Sequence, residues 1–367
     1  MYKIFSTFTG AGGLDIGFHG DFKFLGKKYK KLPFETKYAL EYNKDAINSI
    51  VHNKKYFQET IPLHEDITEN IEEKLKQYPK NEFDVFLGGF PCVTFSVVGK
   101  QKGIQDDISG QLYESYAKYL EYLQPKVFIA ENVKGILSAN QGEAVKIIKK
   151  RFEVDGYNLK IFLVNFADFG VPQLRQRVLF IGVKKDLNIE FIPPEFITRD
   201  KHITSKEAFE KLPNTCKHMK PLKVSEKVVR RLKHIKEGGN YKDVENTEHA
   251  VKGLMSNIYR KLHSEKPAYT VIASGGGGTW GYHYKEPRPL TNRERARLQG
   301  FPDDFDFQGS TTEVRRQIGN AVPPVGMYAF AKRVQYVLDG KIPNFDPEKC
   351  IPEYDVETRK FKVLNQG

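Results

Sequence analysis

A chain of 367 residues, 40% of them apolar, is long enough to bury a large core without a disulfide framework or a structural metal. Its three cysteines, Cys92, Cys216 and Cys350, stand far apart with no Cys-x-x-Cys pair, which speaks against a zinc site and fits a reducing compartment. The formal net charge of +12 favours polyanionic partners such as nucleic acid or an acidic membrane surface, and no apolar run approaches the roughly 20 residues of a membrane span, so a soluble, cytoplasmic protein is expected.

In chain order, short apolar runs alternate with amphipathic stretches: YKIFSTF (2–8), KYALEYN (37–43), FDVFLGGF (83–90), KVFIAENV (126–133) and a run around RVLFIGV (177–183). These predict buried parallel strands joined by helices such as 45–53 and 111–124, an α/β, doubly wound, mostly parallel Rossmann-like sheet. The first strand runs into Gly10, Gly12 and Gly13, which permit a tight strand-to-helix turn and close backbone approach to a ligand. Alone, that turn is as readily structural as functional. The lysines between Gly20 and Pro33 read as a solvated loop. Glu41 and Asp66 end successive strands, where carboxylates suit ribose hydroxyls and an adenine amino group.

The strand 83–90 ends in Gly88 and Gly89, and Pro91 fixes the backbone just before Cys92. That presents a thiol at the carboxyl edge of the sheet, with Thr94 and Ser96 and a loop carrying Lys100 and Lys102 behind it. From about residue 186 prolines and lysines break the pattern. Residues 191–290 hold 19 lysines and arginines against 11 acids, or +8 of the total +12, so the basic face belongs to a second, smaller, irregular domain. The expected division is 1–187, completed by 316–345, then 188–315, with 346–367 as a C-terminal tail.

Six motifs occur in order: FxGxGG (Phe8 to Gly13), PCxxFS (Pro91 to Ser96), ENV (Glu131 to Val133), QxRxR (Gln173 to Arg177), RxLTxRExARLQGFP (Arg288 to Pro302) and GNxVxP around Asn320. Together they resemble the DNA cytosine-5 methyltransferases of bacterial restriction-modification systems, over roughly residues 1–185 and 288–335. The resemblance implies S-adenosylmethionine as cofactor, with Phe8, Thr9, Gly10, Gly12, Gly13, Glu41, Tyr42, Asp66, Ile67, Pro91 and Leu112 at its pocket. Asn320, Ala321 and Val322 would complete that pocket from the C-terminal side. It implies Cys92 as the nucleophile toward cytosine carbon 6, Glu131 as proton holder at N3, and Arg175 and Arg177 as catalytic partners. Chemistry agrees: cytosine carbon 5 is too poor a nucleophile to take a methyl group until a thiolate has added to carbon 6. A thiol near pKa ~8.5 needs local positive charge or backbone N–H groups to become that thiolate.

The resemblance also places target recognition in the basic segment. Within it, IASGGGGTWGYHY (272–284) offers Ser274, Thr279, Trp280, Tyr282 and His283 as readers, and Lys233 and Arg260 as phosphate contacts beside Arg230 and Arg231. Ser96, Lys100, Lys102 and Gln173 are expected to touch double-stranded DNA near the target base. Val93 replaces the glutamine that many members of the family carry after the cysteine, which removes one candidate DNA contact. A dehydrogenase would leave the PCVTFS and QLRQR segments unexplained. A branch of the family methylates transfer RNA and carries Cys-Phe-Thr in its target region; here Cys216 is followed by Lys217 and His218, which favours DNA. A monomer with no bound metal, acting apart from any cognate restriction endonuclease, is the expected form.

Overall fold

A computed structural model describes residues 1–91, 108–154, 156–251, 258–273 and 281–363. Tyr2–Thr7 (β1) leads into Gly13–His19 (α1), Phe22–Phe24 (β2), Lys27–Tyr29 (β3), Phe34–Glu41 (β4), Lys44–His52 (α2), Ile61–His64 (β5), Ile71–Leu75 (α3), Val85–Gly88 (β6) and Ile108–Leu123 (α4). Val127–Val133 (β7), Glu143–Val154 (α5), Tyr157–Asn165 (β8), Gln173–Leu174 (β9) and Gln176–Lys184 (β10) follow. The basic segment holds Ser205–Phe209 (α6), Glu226–His234 (α7) and Ala268–Tyr269 (β11). Asn292–Leu298 (α8), Thr311–Asn320 (α9), Pro324–Leu338 (α10), Glu353–Asp355 (β12) and Lys360–Lys362 (β13) come last.

Nine strands form one sheet in the order β13-β12-β8-β10-β7-β6-β1-β4-β5. Strand alternation sorts its side chains into two layers. Ile4, Val85, Leu87, Val127 and Ile129 face α1 and α10, whereas Phe5, Phe86, Phe128 and Ala130 face α4 and α5. Both faces are therefore covered, which is why these strands read as nearly continuous apolar runs. The first core continues through Leu262, Val271, Leu290 and Phe301, while Leu232, Ile235, Val244 and Tyr282 make a small cluster of their own within the basic segment. Among the described residues no helix is long and apolar enough to cross a membrane.

Three expectations need correction. The 177–183 strand is not parallel: β10 runs antiparallel to both β7 and β8. Only residues 166–175 link β8 to β10, too short a path for the crossover that a parallel pair needs. The lysine-rich stretch after Gly20 is a β2–β3 hairpin rather than a loop. Leu25 and Gly26 take φ 46° and 80°, two left-handed residues in succession, as tight hairpin turns of the primed type require. Phe22 stacks on Tyr29 at 4.6 Å, and Tyr328 of α10 meets Tyr29 edge-on at 5.1 Å, fixing the hairpin to the body. Finally, the 346–367 segment adds β12 and β13 beyond β8 and buries Tyr354.

Candidate active site

The carboxyl ends of β1, β4, β6 and β7 surround a cavity of about 510 Å³, the place where open α/β sheets take their ligands. Glu41 is held there by two backbone donors: Gly10 N–H reaches Oε2 at 2.8 Å and Asn43 N–H reaches Oε1 at 2.8 Å. Burial pushes its carboxyl up, while those amides and Arg316 pull it down. Gly10, at φ 56°, has open space where a Cβ would stand, so a ligand can approach its backbone. Gly13 serves a different end: a Cβ there would lie 2.4 Å from Val322 O, so only glycine lets the turn after α9 close the cavity wall. Asn320, Ala321 and Val322 line it from that side, and Phe8, Thr9, Tyr42 and Pro91 complete it as expected. A carboxylate with lone pairs left over, exposed backbone and the apolar faces of Phe8, Leu14 and Val322 fit a nucleoside with free ribose hydroxyls.

The other end of the same cavity carries Glu131, Asn132 and Arg177. Asn132 ties the two strands together, since its Nδ2 donates to Phe90 O at 3.0 Å and its Oδ1 accepts from Val133 N–H at 2.8 Å. The chain is thus fixed at the step before Pro91. Gly89 makes room for the neighbouring carboxylate, as a Cβ there would come within 3.2 Å of Glu131 Oε2. Arg177 Nε lies 2.9 Å from Glu131 Oε1, so that the two charges are paired in a buried setting. Burial pushes Glu131 up, opposed by Arg177 and then Arg175. A carboxyl so poised can hold a proton and return it.

Arg175 and Gln173 have other work than expected. Arg175 is buried and donates through Nη1 to Val271 O at 3.1 Å, and through Nη2 to Gly319 O at 3.1 Å and Ala321 O at 2.9 Å. Burial and the neighbouring Arg177 pull it down to about 9, which still leaves it charged at neutral pH. Gln173, fully buried, donates to Leu298 O at 2.7 Å and accepts from Val271 N–H at 2.8 Å. Both residues tie the basic segment and the C-terminal return to the sheet, so neither lines the cavity. Sequence reading also missed Asn132 as a clamp, and Arg316 and Gln317 as cavity wall.

Five expected pocket residues do not line the cavity as described. Asp66 turns onto its own loop, accepting from Thr68 N–H at 2.8 Å and Thr68 Oγ1 at 2.7 Å. Ile67 is buried in the second core, and Leu112 packs against it. Gly12, at φ 77°, and Gly13 shape the turn instead. Tyr282 and His283, expected to read bases, are 3% and 6% exposed. His283 Nδ1 accepts the N–H groups of Lys285 and Glu286, each at 3.1 Å, and Tyr282 fills the small cluster. Arg231 is buried too, its Nε donating to His249 O at 2.7 Å. Arg230 and Lys233 are exposed on α7, and Arg260 lies over the Tyr269 ring. Cys92, Ser96, Lys100, Lys102, Ser274, Thr279 and Trp280 lie outside the described residues.

Behind the cavity wall, Asp15 is completely buried. Its Oδ2 accepts from Ser6 Oγ at 3.1 Å and its Oδ1 from Thr36 Oγ1 at 2.8 Å. Burial outweighs these bonds and pushes its carboxyl up to about 6. A folded value above the unfolded one means that Asp15 favours folding fully only below about pH 4, and that this contribution is lost as pH rises through 6. A shift of two units corresponds to about 3 kcal/mol at most. Asp15→Asn, which removes the charge but also one acceptor, should therefore be more stable than wild type at pH 8 by about 1–2 kcal/mol, with no advantage at pH 4. Urea melts at both pH values measure this; the same difference at both would show that ionisation of Asp15 is not resisted by the fold.

Comparison with known proteins extends the geometry. Two curated relatives are Type II methyltransferases: M.NgoFVII of Neisseria gonorrhoeae is 42% identical, covering 96% of this chain and 92% of its own length. M.BbvI of Brevibacillus brevis is 45% identical over 67% of each chain. Among solved structures, an E. coli prophage protein described as a DNA modification methyltransferase superimposes with a TM-score of 0.70 at 24% identity, covering 92% of this chain and 100% of its own. The family model for C-5 cytosine-specific DNA methylases matches residues 2–336. With the cavity at the carboxyl edge and the match spanning nearly its whole length, the chain belongs to the C-5 cytosine-specific DNA methylases.

Proposed function

We propose that the chain methylates carbon 5 of a cytosine swung out of a specific DNA sequence, using S-adenosylmethionine, as the modification enzyme of a restriction-modification pair whose endonuclease acts separately. The observation that carries this reading is the single cavity whose walls run from Gly10 and Glu41, across Gly89 to Pro91, to Glu131 and Arg177. Its two ends suit two ligands that must meet. A base inside a duplex cannot reach such a recess, so the target must leave the stack.

S-adenosylmethionine, when bound, supplies an electrophilic methyl group. Glu41 would accept hydrogen bonds from its ribose, and Thr9, Gly10 and Asn320 to Val322 would hold it from either side. Cys92, one residue beyond Pro91, adds as thiolate to carbon 6 and pushes electron density onto carbon 5. Glu131 supplies a proton toward N3, which neutralises the charge that this addition places on the ring. Arg177 holds the Glu131 carboxylate and faces the base O2. Once carbon 5 has taken the methyl group and the donor has left as a neutral thioether, a base takes the carbon-5 proton, the N3 proton goes back to Glu131, the carbon–sulfur bond breaks and the thiolate returns. Exposed Arg230 and Lys233, with Arg260, contact phosphates, and base reading falls to the segment around Ser274, Thr279 and Trp280.

The test uses duplex DNA with fluorine at carbon 5 of the target, where no proton can leave and the adduct persists. Wild type should give a denaturation-resistant complex with DNA, and Cys92→Ala none. Trapping by the Ala variant would move the nucleophile elsewhere. Single-base methylation sequencing of DNA from expressing cells should show one recurrent sequence; a folded, cofactor-loaded chain that modifies no cytosine in DNA would overturn the reading.

A further inference from the structure

We infer that the β2–β3 hairpin is a second DNA-binding surface, one that holds the phosphate backbone of a duplex other than the one being methylated. The inference rests on DNA being the substrate. Between residues 21 and 31 the chain carries five lysines, Lys23, Lys27, Lys28, Lys30 and Lys31, against one acid, Asp21. All five are exposed. They stand on a scaffold whose inward side chains, Phe22, Phe24 and Tyr29, are buried, so the charges are displayed in a set arrangement.

Lys23 and Lys28 are direct partners across the two-stranded ladder. Like charges in that position are destabilising by about 0.2–1 kcal/mol, a penalty that a bound anion removes. Among the described residues, none of the five lysines has a carboxylate within ion-pair distance. Lys23 and Lys28 line a groove of about 430 Å³ together with Asp21, Lys55, Asp303 and Asp304. Two of those acids are already taken: Asp304 pairs with Lys55 and with Tyr56, and Asp303 with Arg297. Asp21 alone opposes the lysines. Lysine, a compact charge on a long stem, suits phosphates rather than bases, so this surface adds affinity without sequence choice.

Its place in the fold separates it from the active site. The hairpin joins the end of α1 to the start of β4, at the amino edge of the sheet, while the cavity opens at the carboxyl edge. The six residues of β1 put roughly 20 Å between the two edges. Standing at opposite edges of the sheet, the two surfaces offer separate seats for two duplexes. A chain that grips two segments at once can pass from one stretch of DNA to another without full release.

The experiment titrates the full chain with a short duplex containing one target and reads stoichiometry by sedimentation at low salt. Wild type should bind two duplexes per chain, and the variant with all five lysines changed to Gln should bind one. The slope of log affinity against log salt for the second duplex should measure about 0.9 for each lysine contact. Both proteins should methylate the short duplex at the same single-turnover rate and melt at the same temperature. A stoichiometry of one for wild type, or of two for both proteins, overturns the inference. A stoichiometry of two without methylation would strike the proposed activity alone.

Discussion

Exchanging Glu131 for Gln is expected to lower turnover by about 10²–10⁴-fold while cofactor affinity stays within about threefold of wild type. The amide keeps the shape of the carboxyl and the space that Gly89 leaves for it, but it cannot give a proton to N3. Burial already holds Glu131 toward its protonated form, against Arg177 and Arg175, so the side chain is set for transfer rather than for binding. Glu41, with its own amide donors, lies at the other end of the cavity and should be untouched. Single-turnover rates give the first quantity and calorimetry with S-adenosylmethionine the second. A loss smaller than tenfold would mean that proton transfer to the ring does not pass through Glu131.

A comparable effect on stability is expected from Arg175→Met. The guanidinium satisfies three buried carbonyls, those of Val271, Gly319 and Ala321. Methionine fills much of the volume and none of the hydrogen bonds, so about 3–5 kcal/mol should be lost. Because Ala321 also lines the cavity, cofactor affinity should fall in the same variant even at temperatures where it remains folded. Arg175→Lys, which can reach one carbonyl or two, should recover part of both losses. Urea melts with and without cofactor separate the effects. A destabilisation below about 1 kcal/mol would mean that water replaces the guanidinium at little cost.

The legible parts of this protein are those whose chemistry repeats along the chain. Strands covered on both faces announce themselves as apolar runs, and β1, β4, β6 and β7 are where FSTF, YALE, VFLG and FIAEN lead one to place them. Direction is not legible in that way, because a strand buried on both sides looks the same whichever way it runs, and the antiparallel course of β10 is hidden for that reason. The hairpin signal lay in two residues, Leu25 and Gly26, and leucine in a left-handed turn position is uncommon enough to hide it. Glu41, Glu131 and Arg177 could be named from motifs, and the cavity gathers them. Whether Tyr282 and His283 face a groove or a core depends on contacts with Leu232 and Phe209, which come from far away in the chain. Asp15, in the first turn of α1, is enclosed by Thr36 of β4, a contact that its own neighbours in sequence do not announce.

The return of the chain to its own beginning also bears on how the protein is made. Asn320, Ala321 and Val322 stand against the glycine turn at residues 10–13, so that wall of the cavity is absent until they have been synthesised. At 5–20 residues per second the 32 residues from the end of the basic segment at 290 to Val322 take roughly 2–6 s, during which the nascent chain already carries Cys92, Glu131 and the basic segment. A partly made or truncated product lacks a completed seat for the methyl donor. Chains terminated before about residue 322 also lack α10, which covers one face of the sheet, so they should show no activity rather than a weaker one.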